Sequence, residues 1–134
     1  MTRIQLLTFL ALSSLANIVI ADVVHVDCPS GRVEGTRTDD SDGVRTSGDG
    51  VTQQKLDYII DTENIKDSKI TYGLRTVPVE TIHRHGEAIT IFYFFNNVPY
   101  MDTIYPSGLV YSTEHRIFFD NLAITWHYQC KILK

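Results

Sequence analysis

Cys28 and Cys130 are the only two cysteines in a chain of 134 residues, and they stand near its two ends. What they do depends on the compartment, and residues 1–21 bear on that. Arg3 supplies a positive start, Ile4 to Leu12 is mostly apolar, and Val19-Ile20-Ala21 closes the run on residues suited to cleavage. A membrane anchor fits less well, because Gln5, Thr8, Ser13, Ser14 and Asn17 interrupt the stretch and polar sequence follows at once. Residues 1–21 are therefore expected to be a signal peptide, with residues 22–134 forming a single domain in a secreted protein. No later apolar run is long enough to span a bilayer, so the mature form is expected to make no membrane contact. In an oxidising compartment the two cysteines read as one Cys28–Cys130 disulfide, unless the chain dimerises through them; a monomer is expected. Closing a loop of about 100 residues stabilises a fold by roughly 4–5 kcal/mol in the chain-entropy description.

The formal charge is −4 and becomes −5 once Arg3 is removed with the leader. Such a balance disfavours sequence-independent binding of polyphosphate, which relies on many Lys and Arg side chains. Along the mature chain, VVHVDC at 23–28 reads as a strand. Residues 29–50 turn to Gly, Ser, Asp, Thr and Arg and read as a long surface loop, with room for a loose hairpin around Val33 and Val44. In residues 51–65, Val51, Lys55, Leu56, Ile59 and Ile60 follow helical spacing behind Asp49, predicting one helix of about twelve residues. Strands are predicted at 69–77, 79–85, 88–95 and 109–112, with a last hairpin of 116–119 and 123–132 around Asp120-Asn121. AITIFYFF at 88–95 is apolar enough for a central position. The expected class is α+β: one helix packed on a twisted antiparallel sheet and closed by one disulfide.

That order of elements, together with Asn97-Val98-Pro99, Tyr111, Arg116-Ile117-Phe118-Phe119, Leu122-Ala123-Ile124-Thr125 and Cys130, resembles the RNase-like secreted effectors of cereal powdery mildew fungi. These are related in fold to the small extracellular guanyl-specific fungal ribonucleases. The aromatic-x-Cys motif of such effectors has its counterpart in Val26-Asp27-Cys28, where Val26 holds the aromatic position. The resemblance implies a microbial ribonuclease-like fold and a secreted effector that acts on plant immunity inside or around a host cell. The implied partner is a host plant protein or an immune receptor, or RNA held without cleavage.

Cutting RNA through a cyclic phosphate needs a carboxylate base, an imidazole acid and a guanidinium on the phosphate. By the resemblance, Arg116 takes the phosphate-binding place, His127 falls near the catalytic histidine and Asn97 occupies the place of the base. An amide cannot take up a proton near neutral pH, so no catalytic residue is assigned and the chain is expected not to be an enzyme. Arg116, His127 and Asn97 remain as a degenerate phosphate site. Within a strand, His127 and Gln129 share a face and Cys130 points to the other. Glu80, Glu87 and Glu114 are the carboxylates a residual, weakly active ribonuclease would have to recruit. His83 and His85 share a strand face but lack a third ligand at a recognisable spacing, so no metal and no cofactor is expected. A third reading is an unrelated small β-rich secreted interaction protein, since alternate aromatics on each strand must face outward and exposed Tyr and Trp favour protein contacts.

Overall fold

Apolar and polar side chains alternate through most of the chain, and the backbone follows that period of two. The structure, a computed structural model, describes residues 23–39, 43–115 and 122–133. They form β1 (Val23–Cys28), β2 (Gly31–Asp39), β3 (Gly43–Gln53), β4 (Leu56–Asp61), β5 (Lys69–Tyr72), β6 (Arg75–Pro78), β7 (Thr81–His85), β8 (Ala88–Phe95), β9 (Val98–Ile104), β10 (Leu109–His115), β11 (Leu122–Gln129) and β12 (Lys131–Leu133). A single 3-10 turn, Ile65–Asp67, interrupts them. The strands make two sheets, ordered β12-β1-β4-β5-β6 and β3-β2-β11-β10-β9-β8-β7. Every pairing is antiparallel.

The two sheets pack face to face. Val26, Tyr58, Ile60 and Ile70 of the smaller sheet share one core with Ile89, Ile91, Ile104 and Val110 of the larger. Burying side chains of this size stabilises by about 1.5–3 kcal/mol each. The chain passes between sheets after β1, after β3, after β6 and at Cys130. Cys28 and Cys130 are bonded at an S–S distance of 2.00 Å, which ties the end of β1 to the crossover between β11 and β12. The disulfide read from the cysteine count is therefore present.

The α+β expectation is overturned: among the described residues there is no α-helix, and the class is all-β with two antiparallel sheets. The segment read as a helix is the end of β3 followed by β4. There Leu56, Tyr58 and Ile60 are buried while Asp57, Ile59 and Asp61 are partly exposed. Helical spacing had joined Ile59 to Ile60 on one face, but only Ile60 faces the core; strand pairing with β1 and β5 overrides it. The microbial ribonuclease-like fold implied by the resemblance is corrected with it, since it requires that helix.

The loop expected over residues 29–50 is instead the antiparallel pair of β2 and β3. Its glycines mark close packing as well as turns. A Cβ on Gly35 would lie 2.7 Å from a ring carbon of Trp126 on the adjacent β11, so a larger residue there would displace the indole. Strands 23–28 and 88–95 fall where the sequence places them. The signal peptide over residues 1–21, the strand 116–119 and the turn at Asp120-Asn121 lie outside the described residues.

Candidate functional site

A cavity of about 390 Å³ opens between the two sheets. Period-two alternation builds its walls. On β8 the inward phase is Ile89, Ile91, Tyr93 and Phe95, and on β9 it is Tyr100, Asp102 and Ile104. On β10 the inward phase is Val110, Ser112 and Glu114, and β11 contributes Trp126 and Tyr128. The cavity wall is thus largely aromatic: Tyr72, Tyr93, Phe95, Tyr100, Trp126 and Tyr128. Tyr93 and Tyr100 stack at 5.3 Å with 13° between planes, and Phe95 meets the Tyr100 ring edge-on at 6.5 Å.

Thr52, Gln53, Asn96, Ser112 and Glu114 punctuate this apolar lining. The Tyr100 hydroxyl donates to Glu114 Oε2 at 2.6 Å, holding a carboxyl that is only 4% exposed. Ser112 lies opposite Asp102 in the register. Gln53, at the end of β3, is 4% exposed and lines the cavity; its Oε1 and Nε2 have no hydrogen-bond partner among the described residues, and neither atom is accessible from the cavity or from solvent.

Beneath the cavity sits a carboxyl cluster. Tyr58, from the smaller sheet, donates to Asp102 Oδ2 at 2.7 Å, and Tyr93 donates to the same oxygen at 2.8 Å. Full burial pushes the Asp102 pKa from 3.8 up to about 6, and hydrogen bonding from Ser112, Tyr58 and Tyr93 works against a larger rise. Burial also drives the Tyr58, Tyr93 and Tyr128 hydroxyls well above their usual range, with the Asp102 charge adding to each. These tyrosines therefore act as neutral donors at any physiological pH. At the rim, Arg75 donates to Asn96 Oδ1 and lies 5.0 Å from the centre of the Phe95 ring.

Two of the three residues expected to form a degenerate phosphate site, His127 and Asn97, lie apart. His127 is exposed on the outer face of the larger sheet, 4.7 Å from the Tyr111 ring and away from the cavity. Asn97 is a turn residue: Asn96 and Asn97, at φ 53° and 64°, form the two-residue loop between the paired Phe95 and Val98. Positive φ at both central positions is what a tight hairpin demands and what asparagine tolerates. The row of His127 crosses β9 at Thr103, six residues beyond Asn97. Six residues of strand span about 20 Å. Arg116 lies outside the described residues. Of the carboxylates considered as substitute bases, Glu80 and Glu87 are exposed and Glu114 lines the cavity. His83 and His85 do share an exposed face, with rings 4.3 Å apart.

Sequence reasoning missed Gln53, Ser112, Asp102 and the tyrosines as a site. The available signal was phase. Asp102, Ser112 and Glu114 fall in register with the buried apolar residues of their strands, whereas a solvated polar residue falls out of it. A scan against models of known protein families finds no match, and searches of curated proteins and of solved structures find none either.

Proposed function

We propose that this chain is a secreted, disulfide-closed β-sandwich that binds a small, mostly apolar molecule between its sheets. The single observation that carries the reading is the cavity between the sheets, walled by Tyr72, Tyr93, Phe95, Tyr100, Trp126 and Tyr128. The cavity volume of about 390 Å³ falls in the range of small-molecule sites, which are typically roughly 300–1,000 Å³ and combine apolar walls with a few placed polar groups. Secretion rests on the leader-like residues 1–21 and is supported by the disulfide. The chain has one tryptophan, Trp126, and it lines the cavity, so its emission reports occupancy directly. Titrating aromatic fragments against that emission tests the reading. Saturable changes at micromolar to millimolar fragment are expected, and a flat response to every fragment overturns it.

A second reading, a protein-binding module, is supported by the outer face of the larger sheet. Phe94 and Met101 are 48% and 44% exposed there, and Tyr105 and Tyr111 lie edge to face at 5.9 Å. The hydroxyl pairs Thr90–Thr103 at 3.0 Å and Thr113–Thr125 at 3.1 Å link the strands on the same face. A host protein or immune receptor is the partner class this reading takes over from the effector resemblance. Phe94→Asp combined with Met101→Asp should abolish capture of such a partner while leaving the cavity titration unchanged; capture that survives both changes excludes this face.

A further inference from the structure

Away from the cavity, the edge strand β7 of the larger sheet brings two imidazoles together. Alternation along Thr81–His85 turns Ile82 and Arg84 to one face and His83 and His85 to the other. Ile82 packs against the core, so the histidines share the outer face. The guanidinium that separates them in sequence therefore does not separate them in space. His83 sits opposite Thr90 and His85 opposite Ala88 on β8, and these short neighbours leave both imidazoles exposed. The two ring centres are 4.3 Å apart, with 73° between planes. Among the described residues no further His, Cys, Asp or Glu joins them in a larger ligand group. We propose that His83 and His85 form a two-point chelate for a divalent transition-metal ion, copper(II) ahead of nickel(II) and zinc(II), with water completing the coordination.

Distance, ligand type and tethering support this. Two imidazole nitrogens held at right angles on one ion, each at about 2.0–2.1 Å, put their ring centres roughly 4.5 Å apart. The observed 4.3 Å needs only a small rotation of two exposed side chains to match. Imidazole suits copper, nickel and zinc, and affinity at such sites peaks at copper. Two adjacent nitrogens with oxygen in the other positions fit the tetragonal preference of copper(II) and nickel(II), whereas a closed zinc site takes four protein ligands. Fixing both imidazoles on one strand makes the second attachment intramolecular, which strengthens binding roughly a hundredfold over one imidazole. Cys28 and Cys130 are bonded to each other and offer no competing thiolate. His127 falls in the row of His83, but four strand spacings, about 19 Å, lie between them. His25 belongs to the other sheet.

The test uses the mature chain without an affinity tag, titrated with copper(II), nickel(II) and zinc(II) chlorides by calorimetry, with glycine as competing chelator. One copper(II) per chain should bind at the pair, more tightly than nickel(II) or zinc(II). His83→Gln and His85→Gln should each weaken that binding roughly a hundredfold. His25→Gln and His127→Gln should leave it unchanged. Paramagnetic resonance of the copper complex should show coupling to two imidazole nitrogens in the parent and fewer in either β7 variant. Both positions are exposed on an edge strand, so the variants should keep the parent's melting temperature and the comparison is of folded proteins. A His83→Gln or His85→Gln protein that holds copper as tightly as the parent overturns the inference and leaves the pair a ring contact. Parent affinity no greater than that of one imidazole overturns it as well.

Discussion

Asp102→Asn should flatten the acid side of the stability profile. Asp102 is fully buried with its pKa raised from 3.8 to about 6, so the folded chain holds a proton there that the unfolded chain releases. The sign follows directly: this group favours folding most below pH about 4, and the favour is lost as pH rises through about 6. A rise of that size corresponds to about 3 kcal/mol between pH about 4 and about 7. Asp102→Asn keeps an acceptor oxygen for Tyr58 and Tyr93 but cannot ionise. Urea unfolding of both proteins at several pH values from 4 to 7.5 isolates the contribution, because the other carboxylates cancel in the difference. With an m-value of about 1–3 kcal/mol/M, the midpoint difference between the two proteins should drift by about 1–3 M across that range. The variant should gain on the parent as pH rises. A midpoint difference that stays constant with pH would refute the buried, proton-holding Asp102 cluster.

Other expectations can be checked with the same assays. Replacing Cys28 and Cys130 together by serine removes a link across 102 residues and should cost about 4–5 kcal/mol in urea, with the sheets held at the crossover by packing alone. Gly35→Ala places a carbon 2.7 Å from the Trp126 ring and should lower the melting temperature and shift the indole emission. Asn97→Ala should destabilise by about 1 kcal/mol because it forces a non-glycine, non-asparagine residue to positive φ, whereas Asn97→Gly should be neutral or better. The last pair separates a turn role for Asn97 from the vacant-base role, which predicts no difference in stability between alanine and glycine.

Much of the β character was legible in the sequence, and its organisation was not. AITIFYFF and VVHVDC state their strands through β-branched and aromatic content, and Cys28 with Cys130 states the bridge. Residues 56–61 misled because LDYIID satisfies both periods over so short a window: Leu56, Ile59 and Ile60 suit a helix, while Leu56, Tyr58 and Ile60 suit a strand. Strand neighbours on both sides decide between them, and that information is non-local. Residues 31–53 misled for a different reason. Gly35 there lies against Trp126 of the neighbouring strand, and composition alone reads a stretch rich in Gly, Ser, Asp and Thr as a loop although it pairs as β2 and β3. The site was illegible for the same non-local cause. Gln53 sits at the end of β3 in one sheet, Tyr72 in the other, and only the face-to-face packing puts both on one cavity.

The most direct test of the cavity as the functional site is a two-dimensional amide-and-side-chain NMR titration of the mature protein with the aromatic fragments that alter Trp126 emission. The expected perturbations centre on the Trp126 indole N–H and the backbone of Gln53, Tyr100 and Ser112. Perturbations confined to the outer face around Phe94, Met101 and Tyr111, with the Trp126 indole signal unmoved, would contradict it.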